Sequence, residues 1–184
     1  MAIAQELLFT QKDYQALPDT GPRYELVEGE LIVAPSPNHY HQVIAREIVF
    51  LLTSYLKTHP IGEMLFAPFD VYLDEINVFQ PDILYFSNDR RSILTKVGVK
   101  GAPDLVIEIL SPSNANRDRE IKRKVYARSG VIEFWIVSPD SRTVEIYRLQ
   151  EEVGKPVAVR SEQEVLETPL LPSLQIKLSE VFGE

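Results

Sequence analysis

The segment Pro103-Asp104-Leu105-Val106-Ile107-Glu108-Ile109-Leu110 constrains the fold of this chain more than any other. A near-continuous apolar run rich in β-branched residues is the pattern of a central strand covered on both faces. A carboxylate inside such a strand, here Glu108, is costly to keep ionised unless a partner compensates it. The elements that follow read as a helix over about 116–129 and a strand over 131–138. Strand, helix, strand in that order is a crossover unit in a mixed sheet, and the expected class is α/β with α+β character.

The chain has 184 residues, 45% of them hydrophobic and 25% charged, which fits one globular domain over 1–184. A chain of this length can bury a core without a metal or crosslink to hold it. The absence of cysteine excludes disulfides, thiolate zinc sites and cysteine nucleophiles. The formal charge of -8 argues against phosphate or anionic-membrane binding through the overall field. No run approaches the ~18 apolar residues of a membrane helix, and the start lacks the pattern of a signal peptide, so the expected location is cytoplasmic.

Elsewhere, Thr10 caps a short helix through Ala16, and Arg23–Val33 forms a hairpin turning at Glu28-Gly29. Asn38 caps a helix to about Lys57, carrying Val43, Ile44, Ile48, Leu51, Leu52, Tyr55 and Leu56 at three- and four-residue spacing. Short strands are expected at 63–66, 69–73 and 83–86, and again at 143–149, whereas 87–101 reads as irregular. The core spans about 23–149, with the tail 150–184 packed on the domain edge.

Asp82, after Pro81 at a strand entry, and Glu108 are the first chemical pair. A divalent cation would compensate Glu108, and Mg²⁺ commonly takes one or two carboxylates plus waters. Asp104 is a poorer partner, since four residues along a strand separate it from Glu108 by about 13 Å at ~3.3 Å per residue. The plainer alternative is a turn acid at Asp82 and an arginine partner for Glu108.

On the helix after the central strand, Ile121, Val125 and Tyr126 define an inward face that also includes Lys122, with Lys124 pointing away. Segment 117–128 holds six basic and two acidic residues, so Arg117, Arg119, Arg123 and Lys124 make a local basic patch on an acidic chain. The plainer alternative is a solvated face with an Asp118–Lys122 pair. His39-Tyr40-His41 lacks the spacing of a zinc motif, and neither a Gly-x-Ser-x-Gly elbow nor a phosphate-binding glycine loop is present.

The phrases RYELVEGEL (23–31), APSPNHYHQ (34–42), APFDVYL (67–73), QPDILYF (80–86), GAPDLVIEILSPS (101–113) and DREIKRKVYARSGVIEFWIVSPDSRTVEIYRL (118–149) together resemble the Uma family, a group within the PD-(D/E)XK nuclease superfamily. The resemblance implies a restriction-endonuclease-like core, with a mixed central β-sheet flanked by helices and an N-terminal β-hairpin. It also implies an Mg²⁺-dependent phosphodiesterase site, with Mn²⁺ as a substitute. The Pro-Asp acid of the superfamily corresponds to Asp82, and the acid of its Glu-x-Lys element to Glu108. Leu110 stands where lysine is expected, so the lysine comes from the next helix, with Lys122 the choice and Lys124 the reserve. An early acid is also implied, open among Glu28, Glu30 and Glu47, with His41 a site neighbour.

On this reading Asp82, Glu108 and the Ile109 carbonyl bind the metal, and Lys122 orients water or neutralises developing charge. The expected substrate is nucleic acid, DNA first, and the expected assembly a homodimer; a separate expectation is a self-associating structural subunit, for which Phe50, Leu51 and Tyr55 supply an apolar surface. The rival expectation is an inactive nuclease-fold domain that binds nucleic acid or protein.

Overall fold

The computed structural model describes residues 8–18, 20–111 and 118–183, the side chains of Asp118 and Arg119 excepted. The central sheet is built from six strands: β3 (Gly62–Phe66), β6 (Ile83–Ser87), β9 (Leu105–Ile109), β10 (Glu133–Ser138), β11 (Thr143–Arg148) and β12 (Ala158–Ser161), in the order β12-β11-β10-β9-β6-β3. β9 is buried along its whole length between a parallel neighbour, β10, and an antiparallel one, β6. The mixed α/β class and the central position of this strand are as the sequence implies.

Alternation in β9 separates the two sides of the molecule. Leu105, Ile107 and Ile109 pack with Ile44, Ile48 and Leu52 of α2 (His39–Thr58). Val106 and Leu110 face the other way, into a core with Val125 and Tyr126 of α3 (Arg123–Ser129) and with Val71 and Phe79. These last two belong to a second six-stranded sheet of β1 (Tyr24–Val27), β2 (Glu30–Val33), β4 (Val71–Asp74), β5 (Asn77–Phe79), β7 (Leu94–Thr95) and β8 (Gly98–Lys100). Helices thus cover one face of the central sheet, and a sheet with α3 covers the other. Glu108, with the parity of Val106, points toward the second sheet and α3.

The hairpin of β1 and β2 turns with φ of 50° at Glu28 and 82° at Gly29, so both turn residues are left-handed. Glu28 tolerates this because its N–H donates to Asn77 Oδ1 at 2.9 Å and its carboxylate accepts from Arg128. α1 (Gln11–Gln15) is closed by a capping box between Thr10 and Asp13, and Asn38 caps α2 by accepting from the His41 N–H at 2.8 Å.

Three expectations need correction. Residues 87–101 are not irregular: a 3-10 turn over Asn88–Ile93 leads into β7 and β8, and Asn77–Phe79 is a further strand. The tail does more than cover an edge. β12 extends the central sheet, and Leu166, Leu171, Leu174, Ile176 and Phe182 join the α2-side core, together with Leu178 and Val181 of α4 (Leu178–Val181). The remaining strands, β13 (Val165–Leu166) and β14 (Ile176–Lys177), pair with each other. The third concerns the inward face of the basic helix. Asp118–Lys122 is a π turn that passes into α3, and Ile121 is 41% exposed while Lys122 is buried. A π turn advances less per residue than an α turn, so an α-helical wheel misplaces Ile121. The start of that helix at Asn116, and Arg117 in the basic patch, lie outside the described residues. Among the described residues no helix is long and apolar enough to cross a membrane.

Candidate active site

Antiparallel pairing of Ile83 with Ile107 decides which acids meet. One step beyond that pair, Asp82 at the entry of β6 comes beside Glu108 near the end of β9. Both side chains line the same space. That space is an open cleft of about 330 Å³, lined by Glu25, His41, Asp82, Glu108, Ile109 and Lys122 among others.

Lys122 is the hub. It is only 3% exposed, and its Nζ lies 2.9 Å from Glu25 Oε1 and 3.0 Å from Glu108 Oε1. The Phe79 ring lies beneath the ammonium, 5.5 Å from nitrogen to centroid, adding a cation–π contact. Tyr126, one turn along the helix, donates its hydroxyl to the same Glu108 Oε1 at 2.7 Å. Among the described residues Glu108 is therefore compensated by a lysine and a tyrosine. A charge this buried is costly to hold unless opposite charges surround it, and two carboxylates do.

Asp82 is held from two other elements. Its Oδ2 accepts from the Ile109 N–H at 2.7 Å, and His41 Nε2 lies 3.3 Å from the same oxygen. His41 reaches the cleft because it occupies the buried stripe of α2, with Ile44, Ile48 and Leu52, at the end capped by Asn38.

Glu25 is the functional candidate that sequence reasoning missed. It shares a face of β1 with Val27, which packs in the core between the sheets, and it accepts the Gln80 N–H at 2.8 Å as well as the Lys122 ammonium. The available signal was the strand alternation that places Glu25 on Val27's face. The acids first considered lie elsewhere. Glu28 is exposed in the hairpin turn and pairs with Arg128, Glu30 is exposed on β2, and Glu47 pairs with Arg46 on the surface of α2. Lys124 points to solvent, so the reserve lysine does not enter the cleft.

The basic patch is also thinner than the composition of 117–128 implies. Arg123 lies over the Tyr147 ring, 4.9 Å from guanidinium carbon to centroid, and Arg128 is shared between Glu28 and Asp74. Lys124 remains as an exposed cation, while Arg117 and the Arg119 side chain lie outside the described residues.

Among the described residues no group of three or more acidic or histidine side chains is arranged to hold a metal ion. The donor set still fits a hard cation, because Mg²⁺ keeps several waters and needs only one or two carboxylates, and both Asp82 and Glu108 line the cleft. Thiolate or imidazole-rich coordination has no counterpart here.

A mixed sheet whose adjacent strands bring two acids together, with a lysine reaching over from the crossover helix, places the chain among nuclease-fold domains. The sequence model of the Uma2 family, described as "Putative restriction endonuclease", matches residues 11–179, and the chain belongs to that family. A solved structure described as a "putative nuclease belonging to DUF820" from Anabaena variabilis ATCC 29413 superposes with a TM-score of 0.78 at 25% identity, covering 95% of this chain and 97% of that one. Among curated proteins none matches.

Proposed function

We propose that the chain is a metal-dependent nuclease that hydrolyses phosphodiester bonds in DNA. The observation that carries this reading is the convergence of Asp82, Glu108 and Lys122, from three separate elements, in one open cleft. Family membership and the DUF820 neighbour support it.

In this reading Asp82 and Glu108, with the Ile109 carbonyl, hold Mg²⁺, which when bound supplies Lewis-acid stabilisation of the phosphate and an activated water. The protein's own part is positional and electrostatic. The Ile109 N–H and His41 fix the Asp82 carboxylate from two directions, and Tyr126 fixes Glu108. Lys122 presents a positive charge in a largely dry environment, where fixed charge acts more strongly on a developing phosphorane than it would in water. Glu25 keeps that lysine aimed. Three carboxylates against Lys122 and Arg23 leave the cleft negative before a cation is added, so nucleic-acid binding requires divalent metal and weakens with salt.

The test compares wild type with Asp82→Ala, Glu108→Ala and Lys122→Ala on DNA and RNA substrates, with and without Mg²⁺ or Mn²⁺. Metal-dependent cleavage by wild type alone supports the reading, and equal behaviour of all four proteins refutes it. A second reading, an inactive nuclease-fold domain, is favoured by the engagement of Lys122 with both Glu25 and Glu108. Nucleic-acid binding without cleavage at any metal concentration selects it. The homodimer belongs to the proposal as well, with sedimentation as its check.

A further inference from the structure

A second cavity, of about 630 Å³, opens beside the cleft and shares Arg23 and Gln80 with it. Asp70 lines it. Its Oδ1 accepts from the Tyr14 hydroxyl at 3.0 Å and from Gln80 Nε2 at 2.7 Å, and its Oδ2 accepts from the Tyr72 hydroxyl at 3.2 Å. All three donors are neutral. Burial and the neighbouring carboxylate push the Tyr14 hydroxyl well above its usual range, so it stays protonated and donating. An ionised carboxylate offers about four acceptor positions, and these three donors leave one on Oδ2. A bound cation fits this carboxylate poorly, because Oδ1 already faces O–H and N–H protons.

The walls combine polar groups with aromatic and apolar ones. Tyr14 and Tyr72 meet edge to face with centroids 6.3 Å apart, and Val97, at the tip of the β7–β8 hairpin, is 69% exposed. Gly98 makes the enclosure possible. A Cβ there would lie 2.7 Å from the Asp70 carbonyl oxygen and 2.8 Å from the Tyr72 ring, so only glycine lets the hairpin close this tightly. Lys100 and Arg23 supply positive charge along the lining. Gln80 ties the two cavities together, with its N–H on Glu25 and its side chain on Asp70.

We propose that this cavity receives a base of the substrate strand adjacent to the scissile phosphate, with Asp70 accepting from an exocyclic amino group, cytosine N4 foremost. The proposal rests on the nuclease reading and gives it a base preference. A carboxylate is the natural acceptor for cytosine N4, whereas uracil presents a carbonyl at the same position and meets repulsion. Tyrosine faces and an exposed valine suit the π-face of any base, and Lys100 with Arg23 suits the flanking phosphates.

The test measures fluorescence anisotropy of labelled octadeoxycytidylate and octadeoxyuridylate on the full chain with Mg²⁺, label integrity being verified afterwards. Wild type should favour the cytosine octamer about tenfold. Asp70→Asn, whose amide adds a donor for uracil O4, should bring the ratio close to one. Equal affinity in wild type, or an unchanged ratio in a folded Asp70→Asn protein, overturns the subsite and leaves the nuclease reading standing. Failure of both octamers to bind overturns the subsite, while the nuclease reading stands or falls by the cleavage comparison of wild type with its three variants. Photocrosslinking of wild type to an octamer carrying 5-iodocytosine gives a readout that does not depend on the variant's folding. A crosslink to Tyr14 or Tyr72 supports the subsite, and crosslinks confined to other residues overturn it.

Discussion

The two ends of the β6–β9 pair begin from the same local sequence and reach opposite outcomes. Each strand is entered through Pro-Asp, at Pro81-Asp82 and Pro103-Asp104, and because the strands are antiparallel the two acids lie at opposite ends. Asp104 is sealed in. The Ser87 N–H donates to it at 2.6 Å, Arg90 Nε lies 3.2 Å away, and the same guanidinium donates to the carbonyls of Ala102, Pro103 and Gly130. Asp82 instead opens onto a cleft beside Glu108, Glu25 and Lys122. A Pro-Asp entry is therefore a way of starting a strand, and chemistry arises only where a second acid and a cation converge on an open space.

Glu133 extends the lesson. It is as buried as Glu108 and sits in the neighbouring strand, yet at the sealed end. Its oxygens take neutral donors, Trp135 Nε1 at 2.7 Å and Thr168, with Arg148 no nearer than 3.8 Å. Burial pushes its pKa up, with those donors opposing. Glu108, by contrast, has a buried lysine against it.

The largest expected difference between the ends is catalytic. Glu108→Gln should lower metal-dependent cleavage by on the order of 100-fold or more, while Asp104→Asn leaves the specific activity of folded protein unchanged. Comparable losses in both would erase the distinction. Lys122→Met leaves two buried carboxylates without their cation and should destabilise the fold by about 3–5 kcal/mol in urea melts. A loss below 1 kcal/mol would mean the hub is more hydrated than its burial indicates.

Asp104→Asn should cost about 1.5–3 kcal/mol, because it weakens hydrogen bonds made to a charged group. The smallest effect is at Glu133. With its folded pKa raised above the ordinary carboxyl value of 4.5, its contribution to stability is fully present below the unfolded pKa and is lost as pH rises through the folded value. Thermal melts should therefore show Glu133→Gln gaining on wild type between pH 4.5 and neutrality, and a constant difference across that range would contradict the raised value.

Much of the frame was legible because it depends on local periodicity. The buried run at 105–109, the hairpin at 24–33 and the Asn38-capped helix follow from strand alternation, turn chemistry and a three- and four-residue apolar stripe. Residues 77–79 and 94–100 were not legible as strands, since their runs of two or three residues carry no period and exist only through pairing partners. The tail looked peripheral because its apolar residues fall in short runs such as Leu170-Leu171 and Leu174–Leu178, and their burial depends on a surface made by α2 and the central sheet.

The sequence by itself determined that a carboxylate would stand inside a buried strand, that an acid would enter another strand after proline, and that the following helix would carry a lysine on its inward side. Only the tertiary structure decided that these three share a cleft, because antiparallel register between β6 and β9 sets which strand ends coincide. It also decided that Glu25, rather than the turn acids Glu28 and Glu30, completes the group. Within one hairpin these acids are chemically alike; alternation puts Glu25 on Val27's face, but which face the second sheet turns toward Lys122 is a long-range packing outcome.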